Sequence, residues 1–292
     1  MLKVPDSEIV SPKIIESPRD GIQGLKKFIP TKIKADYINS ILKIGFDEVD
    51  IGSFVSEKAI PQLRDTAEVI NLLDLDQTRS KLLVLVANKK GGEEAAEFDE
   101  INSLIFPFSV SPTFLKRNIN SDFYNSIKTI DELRNVCEKR KKNLIVYITM
   151  GFGNPYGDIW NIDIIFERVE KLIDFGITTI PFSDILGNST PSRIHEVFSS
   201  VIKEFPTIEF GFHLHTNPHD WHEKVGAALN SGCKRFDTVI NGLGGCPMAG
   251  KELLGNLDTL SFLNFLDQKN ISHKINNTAL NDAVEKSKIY FT

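Results

Sequence analysis

The sequence predicts an α/β fold, a single (β/α)8 TIM barrel of parallel strands with its active site on the C-terminal face, and three observations carry that expectation. Short apolar runs alternate with amphipathic stretches along the chain, the pattern of a parallel sheet covered by helices. Eight such units follow one another without a Pro/Ser-rich linker, which favours a closed barrel over two doubly wound domains. The chain has 292 residues, and a barrel of this kind typically needs about 250. One domain over residues 1–292 is expected, with the barrel at about 13–266 and a helical tail from 267 to 292.

Taken in order, the strands are expected at Lys13–Glu16, Glu48–Ser53, Lys81–Ala87, Ser103–Phe108, Asn143–Met150, Thr178–Ser183, Ile208–His213 and Arg235–Asn241. Helical periodicity marks Lys32–Ile44, Gln62–Leu73, Ile130–Arg140, Ile162–Phe175, Ser192–Phe205 and Trp221–Ser231. Three helix-to-strand turns carry a glycine, at Gly45, Gly176 and Gly232, where helices commonly end in a left-handed residue. The tail from Asp267 to Thr292 reads as loop plus a short final helix.

A hydrophobic content of 41% and a charged content of 25% are ordinary for a globular chain. The net charge of -5 leaves no basic face for nucleic acid. The one basic run, Lys139-Arg140-Lys141-Lys142, closes an amphipathic segment and reads as a complement to a helix C-terminus. Three cysteines do not suggest a disulfide framework, so a reducing compartment is expected. The N-terminus lacks a signal peptide's apolar stretch, and no run approaches the ~20 apolar residues of a membrane span. The expectation is a soluble, cytoplasmic protein with no membrane partner.

A barrel builds its site at the C-terminal ends of its strands, and the reactive residues gather there. Pro18-Arg19-Asp20-Gly21 follows the first strand, Asp50 lies in the second and Asp184 follows the sixth. His213-Leu214-His215 closes the seventh, and Asn241 to Pro247 follows the eighth. Two histidines one residue apart on a strand point to the same side, where neutral imidazoles can share one divalent ion. Alone, the pair is equally compatible with one core and one rim histidine; Asp20 adds a carboxylate to it. An imidazole and oxygen donor set suits Mg²⁺ or Mn²⁺ better than a structural Zn²⁺ site. Cys246 stands in the glycine-rich run Gly242-Leu243-Gly244-Gly245-Cys246-Pro247, which could deliver a thiol to substrate. Cys137 and Cys233 read as packing residues. His219 and His222, after the N-cap candidate Asn217-Pro218, read as helix surface, and His195 and His273 have no evident partner.

Together these residues resemble the hydroxymethylglutaryl-CoA lyase family of the DRE-TIM metallolyases, from Lys13 to about Leu266. Pro18-Arg19-Asp20-Gly21-Ile22-Gln23, Ser53 to Ser56, Pro61-Gln62, Ser109-Val110-Ser111, Lys116 to Asn120, Asn154-Pro155-Tyr156-Gly157, Asp184 and His213-Leu214-His215 carry the likeness. The Arg-Asp-Gly and His-x-His elements are shared with condensing synthases of the superfamily, whereas Gly242 to Pro247 looks like the lyases. The resemblance implies a divalent metal, Mg²⁺ or Mn²⁺, held by Asp20, His213, His215 and Asn256, and an acyl-CoA substrate cleaved to acetyl-CoA and acetoacetate. It implies that Arg19 binds the thioester carbonyl, that Asp184 takes the hydroxyl proton by way of His213 or water, and that Cys246 protonates the departing enolate. It places Gln23, Asp50 and Lys26 at the substrate, makes the protein a homodimer, and puts the reaction in leucine degradation and ketone-body formation.

The sequence also departs from that family's pattern. Glu16 precedes Arg19 by three residues where the family has four, and Thr216 follows the second histidine where the family has Asp. The spacing from Cys246 to Asn256 is one residue longer, Thr259-Leu260 replaces Thr-Glu, and the second-strand acid is Asp50 instead of Glu. Three rivals follow: a condensing synthase of the same superfamily, a metal-dependent hydrolase, and a non-catalytic relative. Amidohydrolase-type barrels carry their His-x-His on the first strand, whereas here it falls on the seventh.

Overall fold

The computed structural model describes residues 11–76, 78–216, 219–245 and 254–291. Eight parallel strands close on themselves: β1 (Lys13–Glu16), β2 (Glu48–Ser53), β3 (Lys81–Leu85), β4 (Ile101–Ser109), β5 (Asn143–Thr149), β6 (Thr179–Asp184), β7 (Glu209–Thr216) and β8 (Arg235–Thr238). Each pairs with its successor, and β8 returns to β1 through Lys13↔Arg235 to Glu16↔Thr238. This is the expected (β/α)8 barrel. A ninth strand, β9 (Gly255–Asn256), runs antiparallel to the end of β7.

The helices pack outside: α1 (Pro18–Gln23), α2 (Thr31–Leu42), α3 (Thr66–Ile70), α4 (Lys89–Ala96), α5 (Pro112–Ile119), α6 (Phe123–Arg140), α7 (Ile162–Asp174), α8 (Pro191–Glu204), α9 (Trp221–Asn230), α10 (Thr259–Gln268) and α11 (Asn277–Phe291). Period-two alternation divides each strand between two cores. Outward residues such as Phe182, Phe212 and Phe236 join the helices' apolar faces in the large outer core. Inward residues differ around the barrel. Ile15, Leu83, Ile105, Ile145 and Tyr147 form a small apolar cluster inside it. Arg235 fills the floor, fully buried, with Nη1 2.5 Å from Glu48 and 3.4 Å from Glu209. Gly211 makes room for it, since a Cβ there would lie 2.8 Å from the Arg235 stem.

Several helices differ from their sequence periodicity. The segment expected as Gln62–Leu73 is a 3-10 turn (Pro61–Leu63) followed by the short α3. Tertiary bonds override the helix there: Gln62 receives Ile29 N–H and donates to the Leu25 and Lys27 carbonyls, while Asp65 pairs with buried Lys34. The helix expected at Ile130–Arg140 begins earlier, at Phe123, because Asp122 caps it by accepting from Asn125 N–H. Four helices lie outside the expected set, α1, α4, α5 and α10, and of these α4 and α5 start on Asn88 and Ser111 caps. Gly91-Gly92 hides α4 from propensity, yet side chains at those positions would strike the Phe54 carbonyl and Leu133. α9 begins at Trp221 with Asp220 in the N-cap position, and Asn217-Pro218 lie outside the described residues. The tail helix α11 is longer than expected, burying Leu280, Ala283, Val284 and Ser287 along one face and packing against α2. Cys137 and Cys233 are buried packing residues, as read. His195 meets Ser231 at 2.8 Å and His273 meets Asp267 at 3.2 Å.

Glu16, at the end of β1, ties the first strand to the last. It is fully buried and accepts from Ile240 N–H (2.8 Å) and the hydroxyls of Thr259 (2.7 Å) and Thr238 (3.2 Å). Burial pushes its carboxyl from 4.5 up to about 8, against the opposing pull of those three donors. Between those values the folded chain keeps a proton that the unfolded chain releases. This contribution to stability is complete below about 4.5 and is lost as pH rises through about 8. Glu16→Gln, neutral at every pH, is expected to flatten that loss. Urea midpoints of both proteins at about pH 6 and about pH 9 test this; an equally steep fall in the variant would assign the slope to other groups.

Candidate active site and metal centre

β1, β7 and the turn into α1 place three donors at the barrel mouth. Ser17 and Pro18 turn the chain from β1 directly into α1, which sets Asp20 over the strand end. His213 and His215 share the inward parity of β7, with Leu214 packed outward. His213 Nε2 lies 3.0 Å from His215 Nε2, and Asp20 Oδ2 lies 3.8 Å and 3.6 Å from those two nitrogens. Asp20 Oδ2 is buried without a hydrogen bond of ordinary length. Three electron-rich atoms, all within 4.8 Å of one another, thus converge on one point. A divalent cation fits there: it would join the buried carboxylate oxygen to the two imidazole nitrogens, a hard-to-intermediate donor set without thiolate. Burial alone would raise the Asp20 carboxyl, but His215, Arg19 and His213 outweigh it and hold Asp20 well below the usual carboxylate range.

Arg19 borders the same cavity with its guanidinium fixed from two sides. Its Nε and Nη2 donate to Asp50 Oδ2 (2.9 and 2.5 Å), and its Nη1 donates to Asp20 Oδ1 and Gln23 Oε1, both at 3.1 Å. Gln23 in turn donates to Asp20 Oδ1. Burial raises the Asp50 carboxyl to about 6, although Arg19 pulls it back down. Asp50 therefore acts as the brace of Arg19.

The cavity holds about 160 Å³ and has two faces. Arg19, Asp20, Gln23, His213 and His215 form the polar one; Ile60, Leu85, Ile105, Pro107 and Phe114 form the apolar one. A larger surface groove of about 450 Å³ between α4 and α6 carries Lys, Glu and Arg side chains.

The remaining expected site residues fall differently. Asp184 ends β6, but Ser183 and Ile185 line the cavity, and the Asp184 carboxylate turns aside to accept from Ser189 N–H (3.1 Å) and the Ser189 hydroxyl. Asp184 stays close enough to His215 to act on it electrostatically. Asn256 is brought opposite His215 by the β7–β9 pairing, and its amide donates to the Leu243 carbonyl at 2.8 Å. Lys26 is exposed and borders a separate groove between the α1–α2 connection and the end of α11, away from the mouth cavity. Cys246 lies outside the described residues. Gly244, just before it, adopts φ +87 and packs on the Asp20 backbone, where any Cβ would collide with the Asp20 carbonyl. The glycine-rich run therefore passes Asn256 at Gly242 and the Asp20 backbone at Gly244.

Sequence reading missed two residues of the site. Asp237, on the inward parity of β8, sits in register beside His213, with Oδ2 3.1 Å from His213 Nδ1. Tyr147, inward on β5, donates its hydroxyl to the same oxygen at 2.7 Å. Period two within Arg235-Phe236-Asp237 was the available signal, but only the strand register shows which histidine it faces.

Fold and site together define a (β/α)8-barrel protein with a candidate histidine–carboxylate metal centre. Known proteins identify its class. The sequence model of the HMGL-like family matches residues 12–286. The chain is 30% identical over 258 residues to the hydroxymethylglutaryl-CoA lyase YngG of Bacillus subtilis, covering 88% of this chain and 85% of that one. It is 31% identical to the mitochondrial hydroxymethylglutaryl-CoA lyase of Bos taurus, over 85% of this chain and 75% of the other. An HMG-CoA lyase of Acinetobacter baumannii, solved with coenzyme A and 3-methylmalate, superposes with a TM-score of 0.89 at 28% identity, over 98% of this chain and 92% of that one. The Bacillus subtilis HMG-CoA lyase structure gives a TM-score of 0.88 at 29% identity, over 94% and 92% of the two chains. The chain belongs to the HMGL-like family and is a lyase of the hydroxymethylglutaryl-CoA lyase type.

Proposed function

We propose that this protein cleaves 3-hydroxy-3-methylglutaryl-CoA to acetyl-CoA and acetoacetate. The observation that carries the reading is the Asp20–His213–His215 triad sharing one cavity with the braced guanidinium of Arg19. Asp20, His213 and His215, with Asn256 approaching from β9, would hold Mg²⁺ or Mn²⁺. When bound, the ion supplies Lewis acidity that orients the substrate's tertiary hydroxyl and lowers its pKa.

The chain's own residues do the rest. Asp184, beside His215, accepts the hydroxyl proton by relay through water. The C2–C3 bond then breaks, its electron pair moving onto the thioester fragment while the alkoxide carbon becomes the ketone of acetoacetate. Arg19 receives the thioester oxygen and stabilises the negative charge that gathers there, a task suited to a planar, permanently charged fork. Cys246 supplies the proton that turns the enolate into acetyl-CoA. Gln23 fixes both Asp20 and Arg19, and the apolar wall excludes water from the carbanionic fragment. Lys26, on the outer groove, meets the phosphate-bearing part of the CoA rather than the acyl group. The relatives named above support the acyl-CoA substrate.

The buried, unpaired Cys137 and Cys233 support a reducing compartment such as the cytoplasm, and among the described residues no helix is long and apolar enough to cross a membrane. The same reading assigns the reaction to leucine degradation and ketone-body formation, carried out by a homodimer. EDTA is expected to abolish acetoacetate release from 3-hydroxy-3-methylglutaryl-CoA, and added Mg²⁺ or Mn²⁺ to restore it. Undiminished release by metal-free protein would overturn the reading.

A further inference from the structure

Beneath the candidate metal centre runs a buried polar column that the proposed chemistry leaves unassigned. Arg235 sits at the barrel floor, Asp237 lies one pleat above it on the same face of β8, and His213 lies beside Asp237 on β7. One oxygen, Asp237 Oδ2, receives both the Tyr147 hydroxyl at 2.7 Å and His213 Nδ1 at 3.1 Å. The directions of these bonds follow from what each group carries. A carboxylate oxygen accepts only, so Nδ1 must present its hydrogen to Asp237. In the neutral imidazole that leaves Nε2 with a bare lone pair, and Nε2 is the atom 3.0 Å from His215 Nε2 and 3.8 Å from Asp20 Oδ2.

The second donor on the same oxygen gives the arrangement its rigidity. Tyr147 is nearly fully buried on β5, across the barrel from β8, and its ring meets the His213 ring edge-on with centroids 6.1 Å apart. It therefore restrains both Asp237 and the imidazole plane. Of the two histidines, His213 is the one with this carboxylate on its far nitrogen.

We propose that Asp237, anchored by the Tyr147 hydroxyl, is the positioning residue that fixes His213 with its proton on Nδ1 and its Nε2 lone pair turned toward Asp20 and His215. This rests on the metal centre proposed above. Carboxylates in such positions fix the ring and make the ligating nitrogen more basic, and their loss typically costs 10–100-fold in metal affinity. Asp237→Asn is the informative substitution, because an amide can donate to Nδ1 and so trap the proton on Nε2, the wrong tautomer for a ligand.

Two readouts without substrate test this. The first is ¹⁵N NMR of the histidine side chains in metal-free protein, at a pH where the imidazoles are neutral. His213 is expected as the Nδ1–H tautomer in the parent protein and to lose that preference in Asp237→Asn. The second is Mn²⁺ binding by calorimetry, where affinity is expected to fall about 10–100-fold in Asp237→Asn and by a smaller factor in Tyr147→Phe, which keeps the ring but removes the anchoring donor. Parent-like tautomer and Mn²⁺ affinity in the variants would overturn the proposal, and Tyr147→Phe decides it if Asp237→Asn does not fold. A tautomer that responds to Asp237 in a parent protein that binds no Mn²⁺ would support the positioning role and refute the metal centre instead.

Discussion

Arg19→Gln is expected to lower turnover by about 10²–10³-fold while changing the Michaelis constant for 3-hydroxy-3-methylglutaryl-CoA far less. The thioester oxygen carries only a partial charge in the bound substrate and approaches a full one as the carbon–carbon bond breaks. A contact that strengthens along that path acts on the rate constant rather than on binding. The structure sharpens this expectation. Asp50 and Asp20 already hold the guanidinium through three of its N–H groups, so little reorganisation is needed when charge develops. Glutamine matches neither the charge nor the planar fork and leaves the buried Asp50 carboxylate unpaired. Metal binding to the variant should be measured in parallel, because Arg19 also bonds Asp20. Steady-state kinetics showing unchanged turnover with only a raised Michaelis constant would reduce Arg19 to a binding residue.

Cys246→Ala is expected to bind Mn²⁺ and substrate nearly normally and to turn over about 10²–10⁴-fold more slowly, the usual contribution of a general acid. Gly244, two residues before the thiol, presses on the backbone of Asp20, one of the triad residues. The other two cysteines offer an internal control for labelling. Burial pushes both the Cys137 and Cys233 thiols up to about 12, which leaves almost no reactive thiolate at neutral pH. Iodoacetamide is expected to label Cys246 first, with substrate slowing it, as peptide mass spectrometry can follow. Wild-type acetoacetate formation by Cys246→Ala would remove the thiol from the mechanism and favour a condensing enzyme or another non-lyase reading.

The departures from the family pattern acquire physical meaning in the fold. Thr216 hydrogen-bonds Asp220, at the N-cap position of α9, at 2.9 Å, and Asp220 pairs with buried Lys224. An acid is thus still present near the second histidine, five residues on and turned toward the helix. Leu260 packs against the outer core, while its neighbour Thr259 gives its hydroxyl to Glu16. Asp50, one methylene shorter than Glu, still reaches the guanidinium of Arg19 at 2.5 Å.

Amino-acid order alone determined the barrel, most strand positions, and the grouping of Arg19, Asp20, His213 and His215 at one rim. These are consequences of local periodicity. Period two assigns His213 and His215 to one face whatever their neighbours are, and a parallel barrel gathers all strand ends on one side. What only the tertiary structure decided depends on register and on side-chain competition between distant segments. The β7–β8 register, not composition, sets Asp237 against His213, and closure of the barrel brings Tyr147 across to the same oxygen. Asp184 had the right position on its strand, but Ser189 captured its carboxylate five residues later. The resemblance placed Lys26 at the substrate, yet the chain leaves α1 outward, where Gln62 binds both the Leu25 and Lys27 carbonyls. Asn256 reaches His215 only because β9 reverses direction and pairs antiparallel on β7, a contact across 41 residues that no local pattern encodes.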